Sequence, residues 1–93
     1  MDVFDALAHP VRRDVLRLLR GGPMTAGELA AQFEVSKPTM SRHFAALKEA
    51  GLIQAEKTGQ TIRYRLNMSV ADEAVSLVMG LLGPTRHKGS TNE

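Results

Sequence analysis

The residues best able to do chemistry lie between positions 37 and 65. Lys37, Thr39, Ser41 and Arg42 fall on the first two turns of one helical segment, with His43 beside them. An arginine can bind a guanine edge bidentately, and serine or threonine hydroxyls can reach phosphates or base edges. On that reading the first four contact a major groove and His43 a phosphate. Lys57, Gln60 and Arg63 follow on a segment of alternating polarity, where cations can grip phosphates or enter a minor groove. Arg65 shares the alternation but falls nearer the domain body. Taken alone, a solvated helix face and an ordinary exposed strand account for the same residues. Their charge favours a nucleic-acid partner: residues 37–65 carry six cations against Glu49 and Glu56, a surplus of +4 in a chain of net charge +2.

Other chemistries find little support. The 93 residues include no cysteine, which excludes disulfides, thiolate metal sites and a cysteine nucleophile. His9, His43 and His87 lack the i, i+4 spacing of a helical metal site, and none has a carboxylate at useful spacing. Asp72 and Glu73 are neighbours that point about 100° apart on a helix, a poor geometry for an acid/base pair. There is no phosphate-cradling glycine loop and no nucleophile beside a base. A non-enzymatic protein with no cofactor and no metal is expected. No apolar run approaches the roughly 18 residues that span a bilayer, and no basic-then-apolar leader opens the chain. A soluble, cytoplasmic protein without membrane insertion follows as the expectation.

The elements that must position these residues are marked by caps and periodicity. Asp2, with Asp5 three residues on, can cap a short first helix bearing Val3, Phe4 and Leu7. His9 precedes Pro10, which suits the first position of a second helix where Val11, Val15, Leu18 and Leu19 recur; Gly21-Gly22-Pro23 ends it. Thr25-Ala26-Gly27-Glu28 reads as a capping box opening a brief third helix. Ser36 caps a longer fourth helix, in which Met40, Phe44 and Leu47 face inward until Gly51. Pro38, Arg42, Ala45, Ala46 and Glu49 then face outward, the small alanines letting the helix sit deep in a groove. A short helix, a tight turn and a second helix form a helix-turn-helix.

From Leu52 the period changes to two. Ile53 and Ala55 alternate with Gln54 and Glu56, and Ile62, Tyr64 and Leu66 with Arg63 and Arg65. Pairing Ala55 with Ile62, Glu56 with Thr61 and Lys57 with Gln60 puts both apolar sets on one face, with Thr58-Gly59 at the tip. This two-stranded hairpin is a wing. Ser69, with Asp72 at N3, caps a final helix closed by Gly83-Pro84. The fold class is mainly α with a small β-hairpin: a winged helix-turn-helix of five helices and a two-stranded wing, in one domain over residues 1–83. Residues 84–93 read as a disordered polar tail.

The final helix carries the firmest physical inference. Between Val70 and Leu82 only Asp72, Glu73 and Ser76 are clearly polar, so apolar side chains cover most of the circumference. Such a helix must be buried on more than one side, and a domain this small covers one. A second copy of the chain is the simplest partner, with Phe4, Leu7, Val75, Val78, Met79 and Leu82 in the seam. A membrane-surface role fails because the polar stripe is acidic.

The run Ala6-Leu7-Ala8-His9-Pro10-Val11-Arg12-Arg13-Asp14-Val15-Leu16-Arg17-Leu18-Leu19, the pair Leu29-Ala30 and the run Ser36 to Ile53 resemble the signatures of the ArsR-type winged-helix repressors. The Gly59-to-Leu66 wing fits too, so the resemblance covers residues 3–82. Met24-Thr25-Ala26-Gly27 and Ser36-Lys37-Pro38 look most like the metal-site-lacking SdpR-like autorepressor branch. The resemblance implies a homodimer seamed by its first and last helices, placing two recognition helices on an inverted-repeat operator in double-stranded DNA. It also implies repression, including of the protein's own gene. Metal-sensing relatives carry cysteines before the recognition helix or Asp/His pairs on the last helix. Here Glu28 to Gln32 holds no thiol and Asp72 has no histidine partner, so release from DNA would use a small ligand, a regulatory protein or no signal at all. Two alternatives stay open: a metal- or ligand-responsive sensor repressor, and a winged-helix protein-interaction module that does not bind DNA.

Overall fold

The computed structural model describes residues 2–83. The expected tail, with His87 and Pro84, lies outside them. Helix α1 (Val3–Leu7) begins where the Asp2 carboxylate accepts the Asp5 amide at 2.8 Å. Helix α2 (Pro10–Leu19) is capped by His9, whose Nδ1 accepts the Val11 amide at 3.3 Å, and Pro10 takes a position where a missing N–H leaves no bond unmade. Helix α3 (Ala26–Ala30) opens on the expected capping box. The Thr25 hydroxyl accepts the Glu28 amide at 3.0 Å, and the Glu28 carboxylate accepts the Thr25 amide at 2.8 Å. Helix α4 (Lys37–Glu49) is capped by Ser36 and stops before Gly51, whose φ of +80° few L-residues adopt.

The sheet has three antiparallel strands rather than two. Strand β1 (Met24–Thr25) pairs with β3 (Thr61–Leu66), which also pairs with β2 (Ile53–Thr58), giving the order β1-β3-β2. Two residues are too short to show a period, so β1 left no alternation to read. The hairpin register is also shifted by two from the expected one. Ala55 faces Tyr64, Glu56 faces Arg63, Lys57 faces Ile62 and Thr58 faces Thr61, leaving Gly59-Gln60 as the loop. Parity decides which face each side chain takes but leaves the register free by multiples of two. The turn settles the rest: Gly59 stands first in the loop with φ +62°, the positive value that lets a two-residue turn follow the strand twist.

The core gathers one side of every element up to β3. Val15, Leu29, Met40, Leu47 and Ile53 are fully buried, and the Phe44 and Tyr64 rings meet at 4.8 Å. Burial raises the Tyr64 phenol above its ordinary pKa. Met40, Phe44 and Leu47 face inward as their spacing requires. Ala46 does too, contrary to expectation: it is 5% exposed, so the inner stripe of α4 is wider than three residues, and only Ala45 of the two alanines is exposed.

Helix α5 (Met68–Leu82) starts earlier than its sequence suggests. Asn67 is the N-cap and makes no side-chain capping bond, and Ser69 lies inside the first turn. The Asn67 amide donates to the Leu52 carbonyl at 2.9 Å, which fixes the chain leaving β3 and sets the helix start. No residue of α5 is buried. Val70 alone of its side chains packs on the core cluster.

Candidate nucleic-acid interface

Helix α4 is held by its apolar stripe, and that anchoring decides which side chains it offers to solvent. Lys37, Ser41 and Arg42 are exposed and Thr39 half-buried. The cap organises the first turn. Ser36 Oγ accepts the Thr39 amide at 3.4 Å and donates to Thr39 Oγ1 at 3.0 Å, so the two hydroxyls form one polar cluster at the helix start. Lys57, Gln60 and Arg63 are all exposed on the wing. Arg63 stands opposite Glu56 and close enough to Glu28 to act on its charge. The Glu28 carboxyl is held below its ordinary pKa chiefly by the Thr25 amide, then by the Thr25 hydroxyl. Arg65 donates to Gln54 at 3.2 Å, nearer the body as its position in the strand implies.

The short α3 joins the two groups. One surface groove is lined by Ala26, Gly27, Lys37 and Ser41 among others, and a second by Ala26, Gly27, Gln60 and Thr61. Both share Ala26 and Gly27, so the start of α4 and the wing tip flank the same end of α3. Thr25 and Thr61 line this seam as well, and sequence reasoning did not place them there. Their only signal was the β1–β3 pairing, which two residues could not show.

His43 stands apart. It is 5% exposed, so the phosphate contact expected of it is not available on this surface. Its Nδ1 accepts the Arg12 Nε–H at 3.2 Å, and its ring lies 4.3 Å from the His9 ring. Burial first, then the electrostatic influence of the neighbouring His9 and Arg12, lowers its pKa. The signal was available: His43 follows Met40 by three residues and so falls on the inner stripe.

The candidate seam residues lie elsewhere. Phe4, Val75, Met79 and Leu82 are exposed, and Leu7 and Val78 half-buried. Leu7, Ala74, Val75, Val78 and Met79 line one wholly apolar hollow, so α1 and α5 share a continuous greasy surface. Among the described residues, no three histidine, aspartate or glutamate side chains gather as a metal site would require. Among the described residues no helix is long and apolar enough to cross a membrane.

Residues 7–56 match a family model described as a helix-turn-helix domain. The transcriptional repressor SdpR of Bacillus subtilis is 41% identical over 81 residues, which cover 87% of this chain and 90% of that protein. The chain belongs to the ArsR-type winged-helix repressor family. The arsenic resistance transcriptional regulator ArsR1 of Pseudomonas putida is 36% identical over 86% of this chain, which spans 63% of that protein's length. In three dimensions, the crystal structure of a "possible transcriptional regulator for arsenical resistance" superposes with a TM-score of 0.81 at 33% identity, over 87% of this chain and 84% of that one. An ArsR-type chain is a DNA-binding transcriptional regulator and not an enzyme. Within that family the geometry here is a winged helix-turn-helix: α3 and α4 are the two helices, and β2 and β3 the wing.

Proposed function

We propose that the protein represses transcription as a homodimer on an inverted-repeat operator, and that the operator lies in the control region of its own gene. Helix α4 is the recognition helix. Lys37, Thr39, Ser41 and Arg42 read the major groove, and Lys57, Gln60 and Arg63 hold the flanking backbone. The observation that carries this reading is the meeting, around one end of α3, of the exposed Lys37 and Ser41 of α4 with the exposed Gln60 and Thr61 of the wing. The likeness to SdpR, named a transcriptional repressor, supports repression. The apolar surface shared by α1 and α5 supports a seam between two copies, with Phe4, Leu7, Val75, Val78, Met79 and Leu82 in it. Such a dimer presents α4 twice, about 34 Å apart, which suits one turn of B-DNA. The protein acts where the chromosome is, in the cytoplasm.

A gel shift with the DNA upstream of the protein's own gene tests the proposal when repeated across salt concentrations. Binding that prefers this DNA to a scrambled duplex and falls steeply with salt supports it. Equal binding to both duplexes overturns it, and no binding at low salt overturns it in favour of a winged-helix module that binds protein.

A further inference from the structure

The polar cluster behind the recognition helix has no place in the DNA-contacting set. His43 on α4 is buried, and among the described residues no lysine, arginine, aspartate or glutamate is. Its partners come from the junction of the other two helices. Arg12 of α2 donates to His43 Nδ1, and its Nη1 lies 3.4 Å from the Asp5 carbonyl oxygen at the end of α1. His9, the cap of α2, places its ring against that of His43. Next along, Arg13 donates to the Leu7 carbonyl at 2.8 Å. The chain Asp5–Arg12–His43–His9 therefore ties α1, α2 and α4 together at one point.

We propose that His43 is a positioning residue whose neutral ring latches the recognition helix to the α1–α2 junction, and that proton uptake by this ring releases the latch. The chemistry is one-sided. An Arg12 N–H can be received by Nδ1 only while that nitrogen carries no proton, because an imidazolium has two donors and no acceptor. Once charged, the ring would face the Arg12 guanidinium donor to donor, in a buried site and with His9 beside it. Among the described residues, the titratable and charged groups that act on His43 are His9 and Arg12, and both oppose its charge. Buried polar groups left without partners are costly, so the charged ring leaves its place or α4 shifts.

The consequence for DNA rests on the reading of α4 given above, and it has a distinctive sign. A histidine facing phosphate binds DNA more tightly as it gains charge. A latch does the reverse: acid weakens binding, by up to about tenfold per pH unit for one linked proton.

The first arm of the test uses no DNA. In the full-length protein, the His43 ring is titrated by NMR from pH 8 to 5 while amide-exchange protection of α4 is followed. The latch predicts protonation below the ordinary histidine range and a loss of α4 protection through that same titration. In His43→Gln, whose amide oxygen still accepts from Arg12 but does not titrate, protection stays flat over that range. Titration at or above the ordinary value, or unchanged protection as the ring charges, overturns the latch. So does an equal loss in His43→Gln. Should that variant not fold, His9→Asn keeps a capping side chain and removes the neighbouring ring. The His43 titration then moves up toward its ordinary value, and an unmoved titration counts against the latch. The second arm repeats the gel shift at pH 7.5 and 5.5. Weaker binding in acid, absent in His43→Gln, is expected. Tighter binding in acid overturns the latch. Absence of specific binding at both pH values overturns the DNA reading while the first arm still decides the latch.

Discussion

Truncating Met79 to alanine separates the proposed seam from the protomer's own stability. Met79 is 59% exposed and lines the apolar hollow with Leu7, so most of its surface awaits cover. Fully burying a side chain of this size contributes about 1.5–3 kcal/mol, and covering its exposed part therefore contributes about 1–2 kcal/mol. A two-fold seam counts each residue twice, and alanine retains one carbon of the side chain. The expected loss is about 2–3 kcal/mol of dimer free energy, or roughly 30- to 150-fold in the dimer Kd. Sedimentation equilibrium over a range of protein concentrations reads that constant directly. Circular dichroism checks that the helices survive, as they should where the side chain is more than half in solvent. A wild-type protein that is monomeric at micromolar concentration would rule out the seam, and so would an unchanged constant in Met79→Ala.

Other outcomes follow from the same geometry. Arg42→Ala costs about 1–3 kcal/mol in operator affinity and relaxes specificity at one base pair, whereas Lys57→Ala weakens all sequences alike and lowers the salt slope by about one; binding titrations against single-base operator variants distinguish them. Leu47→Ala, at a fully buried position of α4, destabilises the fold by about 2–5 kcal/mol in urea melts. Stability also depends on pH through His43, whose folded pKa lies below the ordinary 6.5. Below that value the unfolded chain binds more protons than the folded one. Stability present at neutral pH therefore falls as pH drops through 6.5 and levels off beneath the folded pKa, in melts that His43→Gln flattens.

Much of this fold was legible because local signals agreed with one another. Asp2, Thr25 and Ser36 each cap the helix expected of them, and Met40, Phe44 and Leu47 bury the face their spacing defines. What escaped depends on tertiary context. Strand β1 is only two residues long and exists because β3 offers it an edge. The wing register obeyed parity yet slipped by two, because Gly59 takes the first loop position. Ser69 had the type and spacing of a cap, but the Asn67–Leu52 hydrogen bond fixes the helix start upstream. His43 misled most. Its type suggested phosphate contact, while its place three residues after Met40 put it inside, where Arg12 and His9 meet it. The exposed Lys37, Ser41, Arg42, Lys57, Gln60 and Arg63 were readable as polar positions of periodic elements. That Lys37, Ser41 and Gln60 meet around Ala26 and Gly27 was not, since this depends on how the wing packs beside α3.

In the proposed complex two copies of α4 read one operator. Hydroxyl-radical footprinting of the full-length protein on its upstream DNA tests it most directly. Two protected tracts related by two-fold symmetry are expected, centred about 10 base pairs apart, one turn of B-DNA. A single tract, or two at a spacing that is no multiple of a helical turn, would contradict it.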